Sequence, residues 1–165
     1  MIAAIVFALN LELARAAAQQ VGVTTIYDPS YVQLRYPGGD LPMQRGVCAD
    51  VIIRAFRKLG VDLQREVHED MRANFRAYPK MWGLSGPDKN IDHRRVPNLM
   101  TFFARRGKST KAPYAAGDIV AWRLPGGLYH IGVVSEAPYV VHNIGRGARR
   151  EDILFAYPII GHYRW

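Results

Sequence analysis

The sequence predicts an α+β fold, with helices leading the chain and an antiparallel sheet closing it. Three observations predict this. Apolar residues recur at helical spacing in Val51, Ile52, Ala55, Phe56 and Leu59. From Gly117 onward, short β-branched runs alternate with Gly and Pro turns. The helical and strand patterns occupy separate halves of the chain, an order that argues α+β.

The elements follow in sequence. Leu11–Val21 is Ala-rich and reads as a helix stopped by Gly22. Val23–Tyr27 is a short β-branched run, and Asp28-Pro29-Ser30 is a turn. The loop Tyr36-Pro37-Gly38-Gly39-Asp40-Leu41-Pro42 leads to Cys48, which opens a helix ended by Gly60. A second helix is expected over Leu63–Ala77, before Pro79. Met81–Ile91 reads as a loop, and Val96–Arg106 as a third helix with Pro97 in its first turn. Strands are expected at Asp118–Leu124, Leu128–Ser135, Tyr139–Asn143 and Ile159–Arg164, with Pro125-Gly126-Gly127 as a hairpin turn.

At 165 residues the chain fits one domain with an ordinary core. Its net charge of +8 predicts affinity for anionic surfaces. No nucleic-acid motif or aromatic–basic interleaving is present, so nucleic acid is not an expected partner. The lone cysteine excludes an intramolecular disulfide and a cysteine-rich zinc site. His68 and His93 lie near carboxylates, but their spacing matches no metal motif: Arg72 stands where His-Glu-x-x-His needs its second histidine. No metal or organic cofactor is expected. Met1–Leu9 is apolar but too short to span a bilayer. It reads either as a remnant of an export signal, with small residues at Ala14-Arg15-Ala16, or as the first turns of the next helix. The first reading places the protein in the periplasm or outside the cell, the second in the cytoplasm. A monomer is expected.

The chemistry-bearing residues are Cys48, His130 and His142. A sulfur at a helix N-terminus meets free N–H groups and the positive end of the helix dipole, which favour a thiolate. His130 leads one strand and His142 ends the next. A thiol, a base and a polar group that orients the base form the constellation of a thiol hydrolase. His142 or Asn143 is placed to orient the imidazole. Asp118 and His162 read as structural residues of the sheet, and Trp122 as core or cleft wall.

These residues, with Gly117-Asp118-Ile119-Val120-Ala121-Trp122 and His130-Ile131-Gly132-Val133-Val134, resemble the NlpC-type cell-wall peptidases of papain-like fold. Over residues 11–165 the chain is more similar still to a bacterial domain family typified by YijF, related to NlpC. The resemblance implies Cys48 as nucleophile, His130 as general base and His142 as its orienting group. It implies a tyrosine upstream of the cysteine that helps hold an oxyanion, with Tyr36 the nearest match. It departs from the family in reading Val47-Cys48-Ala49 where Asp-Cys-Ser is usual, and in carrying a helical insert at about 63–109. That insert is expected to border the cleft, with Asp92, His93, Arg94 and Arg95 touching an anionic substrate. The implied activity is amide hydrolysis, as an endopeptidase or amidase on peptidoglycan stem peptides. A thiol acyltransferase on the same scaffold and a non-catalytic cell-wall binding module are the alternatives.

Overall fold

The computed structural model describes residues 2–165, with side chains from residue 8. The first helix, α1 (Ile2–Ala18), begins well before Leu11 and so takes in the apolar residues at the start of the chain. Leu13, Ala16 and Ala17 are buried in the core, so Ala14-Arg15-Ala16 is part of the packed fold. Gly117 is required where α1 meets the sheet. Its φ is +86°, and a Cβ there would fall 1.9 Å from the Asn10 carbonyl oxygen.

Two short strands, β1 (Ile26–Tyr27) and β2 (Arg45–Gly46), pair in parallel and set Tyr27 beside Gly46. Helix α2 (Cys48–Lys58) follows at once. Its first nine residues are all buried, Asp50 and Arg54 among them. Those two charges are satisfied by the chain around them. Arg54 donates to Asp40 Oδ1 (3.0 Å), Thr24 Oγ1 (3.0 Å) and the Arg45 carbonyl (2.8 Å), holding the preceding loop to the helix.

The insert supplies α3 (Leu63–Asn74) and α4 (Val96–Arg105). Asp62 caps α3 by accepting from the Gln64 amide. The helix expected to reach Ala77 tightens into a 3-10 turn at Phe75–Ala77. A second such turn, Asp92–Arg94, leads into α4, which opens with Pro97 in its first turn.

The sheet contains β3 (Ile119–Arg123), β4 (Tyr129–Glu136), β5 (Tyr139–His142), β6 (Arg149–Asp152) and β7 (Ile159–Tyr163). Its order is β6-β5-β4-β3-β7, antiparallel throughout. Strand β6 is the one the sequence did not announce. Its Arg-Arg-Glu-Asp composition is poor in strand formers, as suits a charged edge. One face of the sheet carries Ile119, Ala121, Ile131, Val133 and Val141 into the core with α1 and α2. The other carries Val120, Trp122, Val134 and Val140 against Leu154.

A buried ion pair joins α2 to the insert. Asp50 accepts from Arg94 Nε and Nη2 at 3.1 Å each, and the two side chains are 3% and 2% exposed. Arg94 also donates to the carbonyls of Ser30 (3.0 Å) and Asp28 (2.9 Å). Removing one partner leaves the other charge buried and unpaired. Asp50→Ala or Arg94→Ala should therefore lower unfolding free energy by about 3–5 kcal/mol, read by urea denaturation. A loss below about 1 kcal/mol, the range of exposed pairs, would contradict the structural role given to Arg94.

Candidate active site

Cys48 sits at the first position of α2, behind the apolar residue Val47. Val47 has no side-chain acceptor to cap the helix. Asp50 reaches back instead and accepts from the Val47 amide at 2.7 Å. Three amides aim at the sulfur, those of Ile131, Ala49 and Cys48 itself. Strand β4 thus passes the thiol at Ile131. Tyr129 lines a groove together with Cys48, and the amide of Ile131 donates to the sulfur.

His130 and His142 are joined. Nε2 of His130 lies 2.9 Å from Nδ1 of His142. That leaves His130 Nδ1 outside the pair. Among the described residues no hydrogen bond links the imidazole to Sγ; the sulfur is held by amides. Trp122 stands directly across β3 and β4 from His130 and stacks on its ring, with centroids 5.6 Å apart. Gly132 faces His142, and a Cβ there would meet its Cβ at 3.1 Å. Glu151, which the sequence reading missed, extends the line: its Oε2 lies 2.9 Å from His142 Nε2.

Several expected residues do other work. Tyr36 does not line the groove; its ring packs edge-on against His68, with centroids 5.2 Å apart. Tyr27 is the tyrosine near Cys48, because pairing with Gly46 brings it beside the residues before the nucleophile. Trp122 is fully buried and donates Nε1–H to the Leu154 carbonyl, so it touches the histidine and not the cleft. Asn143 donates to the Gly46 carbonyl at 3.0 Å and accepts from the Gly145 amide. It positions the loop before Cys48 and does not orient His130. Asp92 and His93 are buried, Asp92 accepting from the Asp88 amide and from Arg95. Asp118 and His162, read separately as structural residues, lie 2.7 Å apart, with Arg164 on the same carboxylate.

The groove has a volume of about 270 Å³. Tyr27, Val47, Cys48 and Tyr129 line it together with Met81, Trp82, Ile91, Arg94 and Arg95 of the insert. Of the four insert residues expected to touch substrate, Arg95 is the one left with an accessible side chain, 18% exposed and stacked on Trp82 at 4.1 Å. A larger hollow of about 440 Å³ lies elsewhere, lined by Thr24, Thr25, Arg146, Arg149 and Glu151. Among the described residues, no three His, Cys, Asp or Glu side chains gather as a metal-holding group, and no helix is long and apolar enough to cross a membrane.

The model of a family described as "Domain of unknown function (DUF1287)" matches residues 14–165. This chain belongs to the DUF1287 family. It is 58% identical over 167 residues to "Uncharacterized protein YijF" of Escherichia coli (strain K12), covering 94% of this chain and 82% of that protein. Its fold is similar to the structure of NlpC1 from Trichomonas vaginalis, with a TM-score of 0.52 and 16% sequence identity. That match covers 93% of this chain and 44% of the other, so the chain spans less than half the length of its solved neighbour. The family member described here therefore has an NlpC-type, papain-like α+β fold.

Burial dominates the electrostatics. It pushes the Cys48 thiol up to about 11, with Asp50 adding to the rise and the three amides opposing it. It holds His130 down to about 3, with His142 contributing. The free protein therefore holds a neutral thiol and a neutral imidazole, where helix-start reasoning expected a thiolate. Alkylation of Cys48 by iodoacetamide should be slow at pH 7 and keep climbing above ~8.5, the value for a free thiol. A plateau below that pH would contradict the neutral resting state.

Burial also lowers His93 to about 3. A histidine that stays neutral when folded and takes a proton near pH ~6.5 when unfolded favours the unfolded chain as pH falls. The two histidines thus stabilise the fold fully above their unfolded pKa and progressively less below it. Melting temperature should fall from pH 6.5 toward pH 4, and less steeply in His93→Gln. Identical pH slopes in variant and wild type would rule out the contribution of His93.

Proposed function

We propose that this protein is a thiol hydrolase that cleaves an amide bond in peptidoglycan stem peptides. One observation carries the reading: a lone cysteine at a helix N-terminus opens on a groove, and the strand whose Ile131 amide faces its sulfur also carries His130, which is hydrogen-bonded to His142. The NlpC-type fold supports it.

The steps follow from the residues. Sγ of Cys48 attacks the substrate carbonyl while His130 Nδ1 takes the thiol proton. Because both groups start neutral, proton transfer accompanies attack and does not precede it. The oxyanion is held by the Cys48 amide and the Tyr27 hydroxyl. Burial, with Cys48 and Asp50 nearby, raises Tyr27 above the ordinary phenol range, so its O–H stays a donor. His130 then returns the proton to the leaving amine, and water attacks the thioester by the reverse route.

Incubation with purified muropeptides, read by product mass, tests this. Cys48→Ala and His130→Ala should abolish turnover in folded protein, and His142→Ala should leave a residue of it. Wild-type turnover by Cys48→Ala would overturn the mechanism.

The groove also bears on substrate charge. Arg95 is braced by Trp82 and by Asp92 at 3.1 Å, so its guanidinium is held in place before substrate arrives. It complements a carboxylate near the scissile amide, as does the net charge of +8. Arg95→Ala should raise KM for a carboxylate-bearing stem peptide by about 10-fold, the effect of losing ~1.4 kcal/mol of binding, and leave kcat nearly unchanged. The same peptide with that carboxylate amidated should be cut equally well by both proteins. An unchanged KM on the carboxylate peptide would remove Arg95 from the binding site. With this activity the protein would act at the cell envelope, in the periplasm or secreted.

A further inference from the structure

Glu151 lies on β6, the strand with least sequence signal. Register pairs Val140 with Glu151 and His142 with Arg149, so Glu151 and His142 are diagonal neighbours on one face of the sheet. The Glu151 carboxylate is 30% exposed. One oxygen meets His142 Nε2 at 2.9 Å, and Arg146 Nη2 approaches the other at 3.6 Å. The charged groups around the two imidazoles are thus Glu151 on β6 and Arg146 on the preceding loop, with Trp122 as the flat wall on β3.

We infer that Glu151 is a positioning residue that sets the tautomers of both histidines and so decides which nitrogen of His130 is a base. A carboxylate only accepts hydrogen bonds, so the proton between it and His142 belongs to Nε2. A neutral imidazole carries one N–H, so His142 Nδ1 is left as an acceptor. The His130 Nε2 that faces it must then be the donor. His130 Nδ1 is left with a lone pair, able to take the thiol proton.

Without the carboxylate this order has no anchor. His142 can then carry its proton on Nδ1 and donate to His130 Nε2. The same two nitrogens stay 2.9 Å apart, but the His130 proton moves to Nδ1, and the base is lost.

The relay also accounts for the charge formed in the reaction. The thiol proton goes to His130 Nδ1, and the proton on His130 Nε2 can pass to His142 Nδ1. Charge is conserved: the negative charge develops on the substrate oxyanion as sulfur adds to the carbonyl, and the positive charge moves to His142, beside the Glu151 carboxylate. Glu151 faces the larger hollow, so the far end of the relay is wetted while Cys48 and His130 remain buried.

This inference rests on the assignment of Cys48 and His130 above, but its test needs no substrate. The test compares wild type, Glu151→Ala, Glu151→Gln and Glu151→Asp by 15N NMR of the histidine rings and by iodoacetamide alkylation of Cys48 across pH. In wild type, His130 Nδ1 and His142 Nδ1 should show the shifts of unprotonated nitrogen, and both Nε2 atoms those of protonated nitrogen. Glu151→Ala should mix or reverse that assignment and slow alkylation at neutral pH by about 100-fold, the low end of what a positioned general base contributes. Glu151→Asp should restore the wild-type tautomers in part. Glu151→Gln is closest in shape; its amide can accept as well as donate, so its tautomers should lie between wild type and Glu151→Ala. Should Glu151→Ala not fold, Glu151→Gln alone decides. A merely structural Glu151 would lower the melting temperature and leave the ring assignments as in wild type, and that result would overturn the inference. Wild-type tautomers as expected, with no turnover of any muropeptide, would instead count against the substrate and leave the relay standing.

Discussion

The ion pair between Asp50 and Arg94 holds the site together. Asp50 caps the helix that presents Cys48, through the Val47 amide. Arg94 draws the insert onto that helix and grips the carbonyls of Asp28 and Ser30, just past Tyr27. One buried contact therefore gathers three parts of the groove: the Tyr27 segment, the nucleophile and the insert. Two charges nearly out of water are tolerable because each has several partners.

The electrostatics of the resting site follow from depth. Helix dipole and amides favour a thiolate, yet removing the sulfur from water opposes it more strongly, and burial is the largest effect on Cys48 and His130 alike. A site of this kind stays unreactive until a carbonyl sits over the sulfur and the proton has somewhere to go. That is a sensible resting state for a lone cysteine on a groove open to small molecules.

Much of this was legible in the sequence. The helix at Cys48 follows from its apolar spacing and Gly60, and the β3–β5 meander from its β-branched runs and turns. Cys48, His130 and His142 stand out because their residue types and placement are uncommon outside chemistry. What escaped depends on contacts between distant segments. Tyr36 resembled the site tyrosine by proximity to the Gly-Gly loop, but a parallel pairing of two residues each puts Tyr27 there instead. Arg94 read as a substrate contact on the insert, and nothing local announces a carboxylate 44 residues away. The clue was Asp50 itself, a carboxylate in the first helical turn behind an N-cap that cannot accept a hydrogen bond. Glu151 hid in a charged edge strand whose composition resembles a loop.

The most direct test of the central claim is digestion of purified muropeptides in H₂¹⁸O, with product masses read by spectrometry. Hydrolysis through a Cys48 thioester predicts a smaller fragment whose new carboxyl carries one ¹⁸O from water, formed by wild type and absent with Cys48→Ala. A product formed equally by Cys48→Ala, or one whose acyl group is joined to an added amine with no ¹⁸O gained, would contradict the claim that this site is a thiol hydrolase.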